Sequence, residues 1–210
     1  MGTSARMIVC CVALLTGCSQ QVGGLAVLPP TERPRPPSGV DADALMLDLS
    51  RMRGLTGAGD DLTVIPSMDG KSPVDIELLA EDAPEPCRFI FIESETFGAE
   101  MVDFHKTTYQ NPPESALISQ AAAVYPDRQT ARAAFDDLVE TADGCAYSSA
   151  GVLLVGQVAS GGGSLSIRPA ATCGRDYALK SVVLAEVTFC AYPESVSELV
   201  MTNLLRGVPG

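Results

Sequence analysis

Cys87, Cys145, Cys173 and Cys190 constrain this chain more than any other feature, because what four thiols become depends on the side of the membrane where they fold. In a reducing compartment they stay thiols or bind metal; in an oxidising one they become crosslinks that fix the topology. The amino terminus decides between the two. Arg6 and the terminal amine precede the apolar run MIVCCVALL, nine residues from Met7 to Leu15, which is too short to span a bilayer and has the length of an export signal. Residues 1–17 therefore read as a cleaved signal peptide. Cys10 and Cys11 leave with it, and the four later cysteines form an even set that predicts two disulfides with three possible pairings. A zinc site would need close CxxC-like pairs, which are absent, so no metal is expected.

The run ends in Leu15-Thr16-Gly17-Cys18, which resembles a bacterial lipobox. The small residues admit a signal peptidase, the Cys18 thiol receives diacylglycerol, and the new amino group takes a further acyl chain such as palmitate. One chain anchors marginally and two or more hold stably. The expected localisation is the cell membrane, lipid-anchored on its extracytoplasmic face. Electrostatics does not help: the chain has 14 basic and 26 acidic residues, net −12. Loss of Arg6 with the signal leaves 13 against 26, net −13, which an anionic leaflet repels. The same balance disfavours a reader of nucleic-acid phosphates, and no nucleic-acid partner is expected.

Residues 18–40 carry Pro29, Pro30, Pro34, Pro36 and Pro37 and read as a tether. Its PPTERPRPP stretch favours polyproline II, at about 3.1 Å per residue. Residues 41–210, in a chain that is 46% apolar, suffice for one folded domain.

Within that domain, DADALMLDLSRMRGLTG predicts one helix from Asp41 to Gly57, with Leu45, Leu49, Met52 and Leu55 recurring at helical spacing. LTVIP is a strand candidate, and a short helix followed by a strand is expected between Cys87 and Gln110. SALISQAAAVY is a strand. PDRQTARAAFDDLVETADGC is a helix capped by Asp127, with Ala131, Ala134, Phe135, Leu138 and Ala142 on one face and Cys145 just past its end. GVLLVGQV and SLSIRP read as two strands joined by the ASGGG turn. No Lys-Ser or Lys-Thr follows those glycines, so they are not a phosphate cradle. In CGRDYALKSVVLAEVTFC a turn near Ser181 would place Cys173 opposite Cys190 on antiparallel strands, which favours that pair and leaves Cys87 with Cys145. ESVSELVMTNLLRG closes the chain as a helix, with Ser195 and Glu198 matching a capping box.

This order resembles the PknH-like extracellular domain: a helix, PEPC, AVYPDRQTARAAF, a second cysteine after that helix, and a last strand pair bounded by TC and FC. The resemblance spans roughly residues 41 to 207. It implies an α+β fold in which helices pack on an antiparallel β-sheet, two disulfides paired Cys87 with Cys145 and Cys173 with Cys190, and a cleft for a small ligand. In mycobacteria the family serves as the external sensor of a serine/threonine kinase and also as free-standing lipoproteins. One departure is the family's frequent tryptophan before its second cysteine, where this chain has Ala142 and Asp143.

Signs of catalysis are few. His105 is the one histidine, no Gly-x-Ser-x-Gly elbow accompanies it, and it reads as a half-exposed strand residue. The pairs Asp60 with Asp61, Glu81 with Asp82 and Asp136 with Asp137 sit on neighbouring positions that diverge, so they read as solvated surface. No catalytic residue and no cofactor is expected. The expected function is a non-catalytic sensor or ligand-binding lipoprotein taking an unknown small molecule or lipid, with a possible envelope protein partner. An envelope hydrolase with an unmarked site and a lipid carrier are the alternatives, and residues contacting the ligand are not assigned.

Overall fold

The computed structural model describes residues 38–170 and 172–210. The signal peptide, Cys18 and the tether up to Pro37 lie outside the described residues.

The segment expected as one helix is two. Asp41 caps α1 (Ala42–Leu45), its carboxylate accepting from the Asp43 N–H at 2.9 Å, and Met46 then turns extended. Asp48 starts α2 (Leu49–Thr56) by accepting from the Arg51 N–H at 2.8 Å, and α2 ends at Gly57 with φ of 70°. The break is held from far away. Gln120, fully buried, accepts from the Leu47 N–H at 3.0 Å and donates to the Leu47 carbonyl at 2.7 Å, where the Tyr109 hydroxyl also donates. Two short carboxylates that bond local backbone, plus this remote amide, outweigh the apolar spacing that favours one continuous helix.

β1 (Thr63–Gly70) is an edge strand that takes in the LTVIP candidate, bulges between Val64 and Asp69 and carries Pro66, all features suited to an edge. After α3 (Glu77–Ala80), a 3-10 segment from Glu85 to Ile90 holds Cys87. The expected short helix and strand are α4 (Glu93–Phe97) and β2 (Asp103–Asn111), followed by β3 (Ala116–Val124). In α5 (Arg128–Ala146), Asp127 caps by accepting from the Thr130 N–H at 2.9 Å, while Ala131, Phe135, Leu138 and Ala142 are buried. Burial of side chains such as Phe135 and Leu138 contributes about 1.5–3 kcal/mol each. Cys145 lies in the last turn of this helix, one residue inside its end and not beyond it.

Of GVLLVGQV, only Gln157 and Val158 are strand. Gly151–Leu154 forms the single turn α6, and β4 begins at Gln157 (Gln157–Gly161). Gly151 packs so closely on α5 that a Cβ there would lie 1.8 Å from the Cys145 carbonyl oxygen, a tertiary constraint that the apolar run does not announce. β5 (Ser164–Ala170), β6 (Cys173–Lys180) and β7 (Val183–Cys190) follow, with the β6–β7 turn at Ser181, whose φ is 56°. α7 (Glu194–Arg206) starts after Pro193, which takes the N-cap position without any side-chain cap bond. The capping box is therefore not formed: Ser195 already sits inside the first turn.

All seven strands join one antiparallel sheet in the order β1-β2-β3-β7-β6-β5-β4. α4, α5 and the 3-10 segment pack on one face over Phe104, Ala121, Ala123, Leu165, Tyr177 and Leu184. α1, α2 and α7 cover the other over Ile118, Ala122, Val124, Val183, Ala185 and Val187. The fold is α+β, as the resemblance implies. Both disulfides form as expected: Cys173 and Cys190 are direct cross-strand partners, and Cys87 joins the 3-10 segment to the last turn of α5.

Candidate functional site

Beyond the end of α5, the same sheet face is left partly uncovered, and there the strands carry polar side chains. Register sets them in two rows. Lys106 opposes Ala121, Ala121 opposes Glu186 and Glu186 opposes Tyr177; one pleat further on, Thr108, Ser119, Thr188 and Arg175 line up in the same way across β2, β3, β7 and β6. The small side chain of Ser119 on the central strand leaves room above it. The result is a cleft of about 210 Å³, floored by Thr108, Ser119 and Thr188 and walled by apolar groups including Val74, Ile76, Phe91 and Leu117.

A charged cluster lies at its base. Glu186 is 1% exposed, with Lys106 Nζ 3.6 Å and Arg175 Nε 4.0 Å from its Oε1. The Thr188 hydroxyl donates to the same oxygen at 2.6 Å. Burial alone pushes the Glu186 carboxyl up, but Lys106, Arg175 and the Thr188 bond together hold it below the ordinary glutamate value. Glu93, the first residue of α4, pairs with Lys106 and accepts from the Val74 N–H at 2.9 Å, so it ties one wall of the cleft to the floor. Arg175 also reaches the Ile90 carbonyl and the Tyr177 hydroxyl. Two atoms of this cluster, Thr108 Oγ1 and Glu186 Oε2, are buried with no hydrogen-bond partner. In a native interior such groups are few.

A larger hollow of about 740 Å³ beside Arg168 lacks this character. Its cation is already matched by Asp176 and Glu194, each at 2.7 Å.

A family model described as the PknH-like extracellular domain matches residues 37–203. This chain belongs to the PknH-like extracellular domain family. Among solved structures, the fold is similar to the extracellular domain of PknH from Mycobacterium tuberculosis, with a TM-score of 0.55 and 13% sequence identity, covering 79% of this chain and 94% of that one. No curated protein matches. Among the described residues, no helix is long and apolar enough to cross a membrane.

Sequence reasoning about this family member named no cleft residue. Its single histidine lies on the opposite side of β2 from the cleft floor. His105 Nδ1 is 2.9 Å from Asp43 Oδ1 and Nε2 is 2.9 Å from Asp69 Oδ1, while the Thr107 hydroxyl donates to that same Asp69 oxygen. The bond from His105 is the main cause of the Asp69 carboxyl lying below its ordinary value. His105 thus clamps α1 to β1. The pairs Asp60 with Asp61, Glu81 with Asp82 and Asp136 with Asp137 are exposed, as read from their spacing. The four disulfide cysteines hold the scaffold around the cleft without lining it. One signal for the cluster was present in the chain: Glu186 interrupts the apolar run VVLAEVTFC, and a carboxylate buried in a central strand requires cationic neighbours.

Proposed function

We propose that this protein is a lipid-anchored, sensor-type binding module that takes a small molecule in the cleft between the β1 edge and the 3-10 segment, without chemical turnover. The observation that carries this reading is the unpartnered hydroxyl of Thr108, buried on the floor of a cleft with apolar walls. A concave apolar site with a few convergent polar groups is the usual form of a small-molecule site. Its volume of about 210 Å³ is below the roughly 300–1,000 Å³ of sites for drug-sized ligands, which supports a small ligand over the carriage of a whole lipid. The occupation of both His105 ring nitrogens by carboxylates supports the non-catalytic reading over an envelope hydrolase.

Ser119→Leu would fill the cleft from its central strand. In a thermal-shift screen of small molecules, compounds that raise the melting temperature of the parent domain by mass action should fail to raise that of Ser119→Leu. Equal stabilisation of both would overturn the assignment of the cleft. Anchoring is tested separately through Cys18→Ala, which should leave the precursor uncleaved or release the protein to the medium. An acylated, membrane-held Cys18→Ala protein would remove the anchor from the proposal.

A further inference from the structure

The cleft's electrostatics narrows the class of ligand, an inference that rests on the cleft being the binding site. We infer that its ligand is an uncharged small molecule with a hydroxyl or amide head on an apolar body, bound through the hydroxyl row Thr108, Ser119 and Thr188.

Charge balance comes first. The ionised groups that line or underlie the cleft are Lys106, Arg175, Glu93 and Glu186, two of each sign. Each cation already faces a carboxylate: Lys106 lies between Glu93 and Glu186, and Arg175 lies beside Glu186. A carboxylate or ammonium ligand would bring a fifth charge into a site with no free counter-charge, and it would lose its hydration on entry. A neutral ligand meets no such penalty.

Hydrogen-bonding capacity points the same way. The three hydroxyls are adjacent across β2, β3 and β7, because Thr108 pairs with Ser119 and Ser119 with Thr188. Thr188 uses its proton on Glu186 and keeps an oxygen that can accept. Thr108 is 1% exposed and its hydroxyl has no partner, so it can both donate and accept. An amide or hydroxyl head supplies the matching donor and acceptor together. Its apolar body then lies against Ile90, Phe91 and Leu117, while Met68, Val74 and Ile76 stay exposed at the mouth.

The test uses three probes with one six-carbon body and different heads: hexanamide, hexanoate and hexylammonium. Binding is read by amide chemical shifts at Thr108, Ser119 and Thr188 and by titration. Hexanamide should shift these three residues and saturate, with each ion at least tenfold weaker. Thr108→Val keeps the shape, removes the hydroxyl and leaves no bond of its own broken, so its melting temperature should equal or exceed the parent's while its affinity for hexanamide falls about tenfold. If either ion binds at these residues as tightly as the amide, or if Thr108→Val keeps full hexanamide affinity, the neutral-ligand inference is overturned while the cleft stands as a site. If none of the three probes moves these residues, both the inference and the proposed function fall.

Discussion

Replacing Cys87 and Cys145 together by alanine should lower the domain's stability by about 4 kcal/mol. The pair closes a loop with a sequence separation of 58, and the chain-entropy model assigns a closure of that length about 4 kcal/mol, against about 3 for the separation of 17 between Cys173 and Cys190. The first bridge also has more to hold. It fixes the 3-10 segment, whose Ile90 carbonyl accepts from Arg175, to the last turn of α5, against which Gly151 and α6 pack. The second bridge joins strands whose ladder already holds them in register. For a domain of this size the loss corresponds to a fall of roughly 8–16 °C in melting temperature. Calorimetry of the double variant checks it, and a loss under 1 kcal/mol would show that packing alone holds the 3-10 segment.

The second large effect is expected at Glu186. Glu186→Gln keeps the shape but removes the charge that Lys106 and Arg175 face, and breaking one member of a buried ion cluster costs about 3–5 kcal/mol. The sign with pH follows from the lowered carboxyl. A group whose folded-state value lies below its unfolded one stabilises the fold above the unfolded value, here 4.5, and that stabilisation fades as pH falls through the folded value. The gap between the parent and Glu186→Gln should therefore be full at neutral pH and shrink steadily below pH 4.5. Urea denaturation of both proteins at several pH values measures this gap. A constant gap would mean that the substitution acts through packing and not through the charge.

Much of the scaffold could be read directly. β3 and β7 are apolar runs, α5 shows its buried face and its Asp127 cap, and the cysteines lie where the strands and helix bring them together. Part of what could not be read is set by partners distant in the chain. The break at Leu47 depends on Gln120, 73 residues away. α6 depends on the close approach of Gly151 to the Cys145 carbonyl, near in the chain but carrying no signal in the apolar run. The cleft is less legible still. Its floor comes from three strands whose register is fixed only by pairing, and Glu93 arrives from a helix start whose neighbour in space, Lys106, has no local signal. Glu186 alone marked the place, as a charge in a run otherwise suited to full burial.

The strand order also governs how the chain reaches its fold. β1, β2 and β3 form one half-sheet from consecutive segments, β4 to β7 form another, and the two meet along a single seam between β3 and β7. That seam joins Ala116–Val124 to Val183–Cys190, so the centre of the sheet waits for the last strand of the chain. Long-range pairing of this kind folds slowly, and it leaves a strand edge open in the meantime. The open edge is ALISQAAAV, one of the most apolar segments of the domain. A chain delivered across a membrane from its amino terminus would therefore expose that edge until β7 emerges, which makes the interval between the two strands the period in which it is most prone to aggregate.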